Sequence, residues 1–206
     1  MGLKKKCIRL CRYLLIKNKN VTIISNNCWG GFMYQSCGLK YQSPFIGLFI
    51  WAPDYILLLE HFDDFIFGDS HMKFIDRVQS KYSESIREEY PIGVLINDKY
   101  GKVEIHFLHY HTEKECLNNW YRRVRRINKE NMIVKFCDRD QATPELIGRF
   151  DSLPYRFKVC FTAKEYPFKS TCCIAEFKDC DVVENEWEVS DRYWDFVEHA
   201  NRMLTE

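Results

Sequence analysis

The chain lacks several features that would assign a protein to a special class. Its 206 residues contain no internal repeat and no low-complexity linker, so we expect one domain with a core of its own. The formal net charge is only +1, which argues against a dedicated nucleic-acid binder because such proteins are normally strongly basic. Leu3 to Asn20 contains no apolar run of the length that a cleavable signal or a membrane span needs.

Cysteine is abundant, with ten residues, but no C-x-x-C pair of the kind typical of structural zinc sites is present. Cys137, Cys160 and Cys172 lie in segments with the apolar pattern of core strands, where a free cysteine behaves as a small apolar side chain. We therefore expect a cytoplasmic protein with reduced thiols.

The apolar pattern predicts an α/β fold, a single three-layer domain over residues 21–206 with a mixed, partly parallel sheet. Strands are expected at Met132 to Cys137 and Arg156 to Thr162, with a helix capped by Thr143 between them. Such a strand–helix–strand unit implies parallel strands.

Turn and cap signals place the other elements. A hairpin is expected from Ile92 to Tyr110, and a capping box at Thr112 opens a helix. The remaining predicted elements are a strand at Val21 to Ser25, a helix at Phe32 to Cys37, a helix beginning at Pro53, a polar and partly helical stretch at Asp69 to Tyr90, a strand at Cys172 to Phe177 and a helix from Ser190.

Residues 1–20 form a separate basic amphipathic segment. Ile8, Cys11, Leu14 and Leu15 recur there at helical spacing, and lysines and arginines lie between them. A helix of this kind either rests on an anionic membrane as a peripheral contact or docks on the body of the protein.

The loop after the first predicted strand has the composition of a ligand site. Asn26, Asn27, Cys28, Trp29 and Gly30 bring together two amides, a thiol, an indole and a flexible backbone position. In α/β proteins the loop that leaves the carboxyl end of an early strand is where ligands usually bind.

Thiol chemistry is one hypothesis for this loop. Cys28 lies at a strand-to-helix turn, where backbone N–H groups and the helix dipole favour a thiolate. His109 and His111 end a strand just before a capped helix, and either is a candidate base. Asn26 or Asn27 would donate a hydrogen bond to an oxyanion. The competing interpretation is a half-buried cysteine in a structural turn.

Sugar-nucleotide transfer is a second hypothesis. Asp138 and Asp140 follow an apolar strand, and carboxylates spaced in this way can hold Mg²⁺ or Mn²⁺ against a diphosphate. An arginine cluster on the helix expected to cover the pocket would neutralise phosphate charge; its members are Arg122, Arg123, Arg125 and Arg126. The competing interpretation is a solvated acidic loop beside an exposed basic helix face.

Two further hypotheses use other residues. His109 and His111 with a carboxylate would form a metal hydrolase site, provided that the strand ends by Tyr110. A binding protein without catalytic activity would instead stack glycans on Trp29 and other aromatic side chains of the same region.

Three long runs resemble a bacterial family of domains of unknown function, number 1919, whose members are often labelled exopolysaccharide biosynthesis proteins. The runs are ISNNCWGGFMYQSCGLKYQSPFIGLFIWAPDYILLLE, FLHYHTEKECLNNWYRRVRRIN and VKFCDRDQATPELIGRFDSL. The resemblance implies an α/β fold and a setting in surface-polysaccharide assembly, without implying an activity.

A looser resemblance is to a family described as papain-like cysteine peptidases. It has a strand, a loop cysteine, a Pro-Phe pair and a later Phe-x-His before an arginine-rich helix. Here these correspond to Cys28, Pro44, Phe45, Phe107 and His109.

The loop and the first resemblance together favour a transferase acting on an activated sugar or a glycan in exopolysaccharide biosynthesis, with a sugar nucleotide or glycan as its partner and no nucleic acid. The alternatives are a Cys28–His109 acyltransferase or hydrolase, and a non-enzymatic glycan-binding protein. The sequence leaves the metal, the donor and the oligomeric state open.

Overall fold

The computed structural model describes residues 3–205 and has strands and helices alternating along most of the chain. The strands are β1 (Thr22–Ser25), β2 (His71–Ile75), β3 (Ile92–Asn97), β4 (Gly101–His106), β5 (Met132–Cys137), β6 (Phe157–Thr162) and β7 (Thr171–Cys173). The α-helices are α1 (Leu3–Leu15), α2 (Trp29–Ser36), α3 (Ala52–Glu60), α4 (Phe62–Ile66), α5 (Glu113–Val124), α6 (Pro144–Ser152) and α7 (Phe196–Arg202).

The strands divide between two sheets. One sheet has the order β1-β5-β6-β7 with every pair parallel, and the other has the order β2-β3-β4 with both pairs antiparallel. The α/β class with strand–helix–strand units and a hairpin is therefore confirmed. Within residues 3–205, no helix combines the length and the apolar composition needed to cross a bilayer.

The parallel sheet is buried on both faces. Ile24 and Val134 point into a core shared with α3, α6 and the antiparallel sheet, while Ile23 and Ile133 point into a second core beneath α2 and α7. Side chains of successive strand residues face opposite ways, so a continuous apolar run is required where both faces are covered.

Three predicted stretches differ from the structure. The polar stretch Asp69 to Tyr90 contains strand β2, and the strand expected over Cys172 to Phe177 is the shorter β7 followed by a 3₁₀ turn. The helix expected from Ser190 begins as a 3₁₀ turn, and α7 starts only at Phe196. β2 is half exposed, so its pairing with β3 defines it more than its apolar content does.

One segment connects the two sheets, and it is called the connector here (residues 43–51). The N–H of Ile50 donates to the carbonyl of Asn26 after β1 at 2.8 Å. Phe49 and His106 at the end of β4 exchange a pair of backbone hydrogen bonds, each 2.9 Å long. The connector therefore holds the ends of β1 and β4 near each other.

Close packing of α2 on β1 depends on Gly30. A Cβ atom added there would lie 2.7 Å from Ser25 Oγ and 3.1 Å from Ile23 Cγ2. The Ser25 hydroxyl is itself engaged, since it donates to the carbonyl of Asn27 at 2.8 Å and accepts from the N–H of Gly30 at 3.2 Å. Gly30 is thus required by packing.

We expect Gly30→Ala to lower the free energy of unfolding by about 1–3 kcal/mol, because the added methyl group overpacks the contact between α2 and β1. Gly31→Ala is the matched control, since its Cβ would meet only Ile46 Cγ2 at 3.7 Å. This control gains helix propensity of about 1 kcal/mol without a clash. Urea unfolding of both variants measures the difference, and equal midpoints would contradict the packing account.

Candidate functional site

A cleft of about 470 Å³ opens where α2 begins. Its walls are the first turns of α2, the turn after β4 and one face of α5, together with Tyr41, Ile46 and Gly47 from the chain between α2 and α3. Both Cys28 and His109 line it. Residues far apart in the chain therefore share one concave surface, as is usual for small-molecule sites.

Cys28 and His109 are in contact. Cys28 Sγ lies 3.6 Å from His109 Nε2, although the two residues are 81 positions apart in the sequence. Cys28 is half-buried and immediately precedes α2, while His109 is exposed at the edge of the cleft. A thiol within reach of an imidazole is the arrangement that activates a cysteine nucleophile.

The connector positions His109. The backbone N–H of His109 donates to the carbonyl of Gly47 at 3.0 Å. Gly47 has φ +73°, and a Cβ atom there would lie 3.1 Å from Tyr110 Cε2 and 3.3 Å from His109 Cβ. The hydroxyl of Tyr110 donates to the carbonyl of Ile46 at 2.6 Å. Glycine at position 47 therefore lets the turn after β4 lie directly on the connector.

Burial raises the pKa of the Cys28 thiol. The nearby cations Lys135 and Arg139 lower it, while the carboxylates of Glu186 and Asp140 raise it. The sequence predicted the opposite, because the helix N-terminus alone would lower the thiol pKa and favour a thiolate. A thiol whose pKa is raised reacts through a proton acceptor, and His109 lies within reach of Cys28 to act as one.

The backbone N–H groups in the first turn of α2 differ in whether they have a hydrogen-bond acceptor within the protein. The N–H groups of Trp29 and Gly30 donate to side-chain oxygens, and that of Phe32 donates to the carbonyl of Cys28. The N–H of Gly31, which lines the cleft, has no such hydrogen bond within the part of the chain that the structure describes. A helix N-terminus with a free N–H beside a nucleophile can stabilise an oxyanion.

Asn26 and Asn27, predicted as substrate-binding residues, do not line the cleft. Both are buried, and their amide groups donate to the sulfur of Cys137, with Asn27 also donating to Glu186 at 2.8 Å. Lys135 binds the side-chain oxygens of both asparagines and forms an ion pair with Glu186. These five side chains, the buried polar cluster, support the Cys28 loop from below.

Trp29 and Gly30, also predicted to bind substrate, are structural in this fold. The Trp29 side chain is fully buried, and its Nε1 donates to Ser190 Oγ at 2.9 Å. Its indole ring contacts Phe161 and Phe196. The indole therefore anchors α2 on the second core and offers no stacking surface to a ligand.

The predicted arginines and His111 lie outside the cleft wall. Arg122 is exposed and donates to Asn119, and Arg126 donates to the backbone of Tyr41 at 3.1 Å. His111 is exposed, and its N–H donates to Glu115 Oε2 at 3.1 Å. His109 alone of the two histidines meets Cys28.

Asp138 and Asp140 do not fit a divalent metal. The two oxygens of Asp138 accept N–H groups from Ala163 at 2.6 Å and Val183 at 2.8 Å, and Asp140 lies 3.5 Å from Arg139. Among residues 3–205, no three His, Cys, Asp or Glu side chains are grouped so as to hold a metal ion. The carboxylates in this loop are used for folding.

The arginine helix was expected to cover the pocket, but the sequence interpretation did not single out Glu115 and Asn119 of that helix, α5. Glu115, Asn119 and Arg123 line the cleft together. Their spacing of four residues places them on one face of the helix, and this i, i+4, i+8 pattern of polar groups was the available signal.

The fold and the cleft define a single-domain α/β protein with a cysteine–histidine pair at the carboxyl end of its first strand. The chain belongs to the family "Domain of unknown function (DUF1919)", whose model matches residues 2–203. The family resemblance is thereby confirmed. An uncharacterized protein of Haemophilus influenzae is 32% identical over 190 residues, which cover 90% of this chain and 84% of that protein.

We expect Gly47→Ala to reduce the reactivity of Cys28 by about tenfold or more, because the methyl group displaces the His109 turn. Gly101→Ala is the matched control. Gly101 also has a positive φ of +101°, but nothing lies within 4 Å of an added Cβ. Both variants pay the backbone cost of a side chain at positive φ.

The rate of iodoacetamide alkylation at Cys28, followed by peptide mass spectrometry, separates the two variants. If both slow the reaction equally, backbone strain rather than the position of His109 is responsible, and the role given to Gly47 is wrong.

Proposed function

We propose that the protein is a thiol-dependent acyl-transfer enzyme, either an acyltransferase or a hydrolase, with Cys28 as nucleophile and His109 as general base. The observation that carries the proposal is the 3.6 Å contact between Cys28 Sγ and His109 Nε2 in a cleft. This was the alternative hypothesis from the sequence, and the geometry favours it over the others.

The reaction has two balanced halves. His109 Nε2 accepts the thiol proton of Cys28 as the sulfur attacks the acyl carbon, and the N–H of Gly31 in the first turn of α2 would donate to the oxyanion. The leaving group departs with the proton that His109 returns, which leaves a thioester on Cys28. Water or an acceptor hydroxyl, deprotonated by His109, then cleaves the thioester and regenerates the thiol.

The acceptor distinguishes a hydrolase from an acyltransferase. A glycan hydroxyl as acceptor would place the reaction in surface-polysaccharide assembly, the setting that the family resemblance implies. Transfer of an activated sugar stays a prediction. The form of that hypothesis in which Asp138 and Asp140 hold a metal-bound diphosphate loses support. The oxygens of Asp138 accept hydrogen bonds from backbone N–H groups, and Asp140 lies beside Arg139.

We expect His109→Ala to lower the rate of Cys28 alkylation by iodoacetamide at neutral pH by about tenfold or more, because the half-buried thiol then lacks its proton acceptor. His111→Ala is the matched control, since His111 is exposed and two residues away. The exposed Cys7, Cys11 and Cys180 serve as internal references for solvent reactivity.

The same variants test acyl transfer with p-nitrophenyl acetate as the probe. Wild type should form an acetyl thioester on Cys28, and His109→Ala and Cys28→Ala should not. An alkylation rate that is unchanged in His109→Ala, together with no thioester in wild type, would overturn the proposal.

We also propose that α1 makes a peripheral contact with an anionic membrane. Arg12 ties the helix to the body through an ion pair with Asp191, yet Leu10, Leu14 and Leu15 are 60%, 72% and 64% exposed. These apolar side chains on a basic helix form the combination that binds the interface of anionic bilayers.

The double variant Leu10→Glu with Leu14→Glu should lose binding to vesicles that contain phosphatidylserine, by more than tenfold, since each leucine contributes roughly 1.5–3 kcal/mol on burial. Val78→Glu is the control, because Val78 is 84% exposed but lies far along the chain from α1. Sedimentation with phosphatidylserine and with phosphatidylcholine vesicles measures the effect. Failure of wild type to sediment with either vesicle would contradict the membrane contact.

A further inference from the structure

Arg123 is a buried cation in the wall of the cleft. Its side chain lies on α5, the residue is only 9% exposed, and it lines the same cleft as Cys28 and His109. Its Nε atom has no hydrogen-bond partner. Across residues 3–205, no carboxylate forms an ion pair with this guanidinium.

Two aromatic residues hold the guanidinium in place. Arg123 Nη1 donates to the hydroxyl of Tyr110 at 2.6 Å, and that hydroxyl donates onward to the carbonyl of Ile46. The Tyr41 ring centroid lies 5.2 Å from Arg123 Cζ, a cation–π contact. The position of this arginine is therefore fixed before any ligand binds.

The charge of Arg123 is only partly compensated within the protein. An arginine keeps its proton in any protein environment, so burial does not remove the charge. Its place in the last turn of α5 brings it near the partial negative charge of the helix end. A buried cation without a paired anion is costly, which favours an anionic ligand at this position.

Glu115 does not neutralise it. This carboxylate lines the same cleft, but its Oε2 accepts the N–H of His111 at the start of α5, two helical turns before Arg123. The cleft thus has a thiol and an imidazole on one side and an unpaired guanidinium on another.

We infer that the substrate carries an anionic group, a carboxylate or a phosphate, that binds Arg123 while its acyl carbon lies at Cys28. This inference rests on the proposed function and specifies its substrate class. A planar guanidinium binds either anion through charge-assisted hydrogen bonds.

The test compares iodoacetate with iodoacetamide as reagents for Cys28. Both carry the same reactive carbon and lose iodide, but only iodoacetate is an anion. We expect the rate with iodoacetate divided by the rate with iodoacetamide to fall by about tenfold in Arg123→Gln. A change of this size corresponds to the loss of one charge-assisted hydrogen bond. Arg122→Gln, which changes the exposed neighbouring arginine, should keep the wild-type ratio.

A second measurement needs no variant. Acetate or inorganic phosphate, added to wild type, should slow the reaction of Cys28 with iodoacetamide. Protection by acetate identifies a carboxylate ligand, and protection by phosphate identifies a phosphorylated one.

Arg123→Lys keeps the charge without the planar guanidinium and should give an intermediate rate ratio in the comparison of iodoacetate with iodoacetamide.

The outcomes separate this inference from the proposed function. If iodoacetamide labelling of Cys28 does not depend on His109, the proposed function fails. If that dependence holds but the rate ratio is equal in wild type and Arg123→Gln, and neither anion protects, then the anionic substrate is wrong and the thiol chemistry stands.

Discussion

The backbone hydrogen bonds of the connector are the constraint on which the site depends. Near its end the connector uses two adjacent residues: Ile50 binds the carbonyl of Asn26 beyond β1, and Phe49 pairs with His106 at the end of β4. These bonds join the parallel sheet, which presents the thiol, to the antiparallel sheet, which presents the imidazole. Gly47 completes the arrangement because a side chain there would occupy the space of the His109 turn.

The buried polar cluster has a complementary role beneath the thiol. Lys135 and Glu186 are fully buried as an ion pair, Lys135 Nζ also donates to the side-chain oxygens of Asn26 and Asn27, and Asn27 Nδ2 donates to Glu186. Buried charges are tolerated only when they are paired and hydrogen-bonded in this way. Asn26 and Asn27, which were predicted to bind a ligand, instead hold the loop that carries Cys28 against the sheet.

The parts of the fold that could be predicted are those governed by local patterns. The strand Met132 to Cys137 is buried on both faces and is apolar except at Lys135, and the Thr143 cap defines the start of α6. Cys28 and His109 were predictable as chemical candidates from their residue type and their place at strand ends. Their contact was not, because it depends on sheet pairing and the connector, which leave no periodic signal. Edge strand β2 was missed for a similar reason, since its pairing rather than its composition defines it.

The central claim is the direct contact between Cys28 and His109, on which the proposed thiol chemistry depends. Treatment with 1,3-dibromoacetone tests it most directly, because this reagent has a reactive carbon at each end of a three-carbon chain. The account predicts that the thiol reacts first and the imidazole second, so that mass spectrometry finds one peptide pair joined through Cys28 and His109. Modification of Cys28 at one end only, or a link from Cys28 to a different residue, would contradict the account.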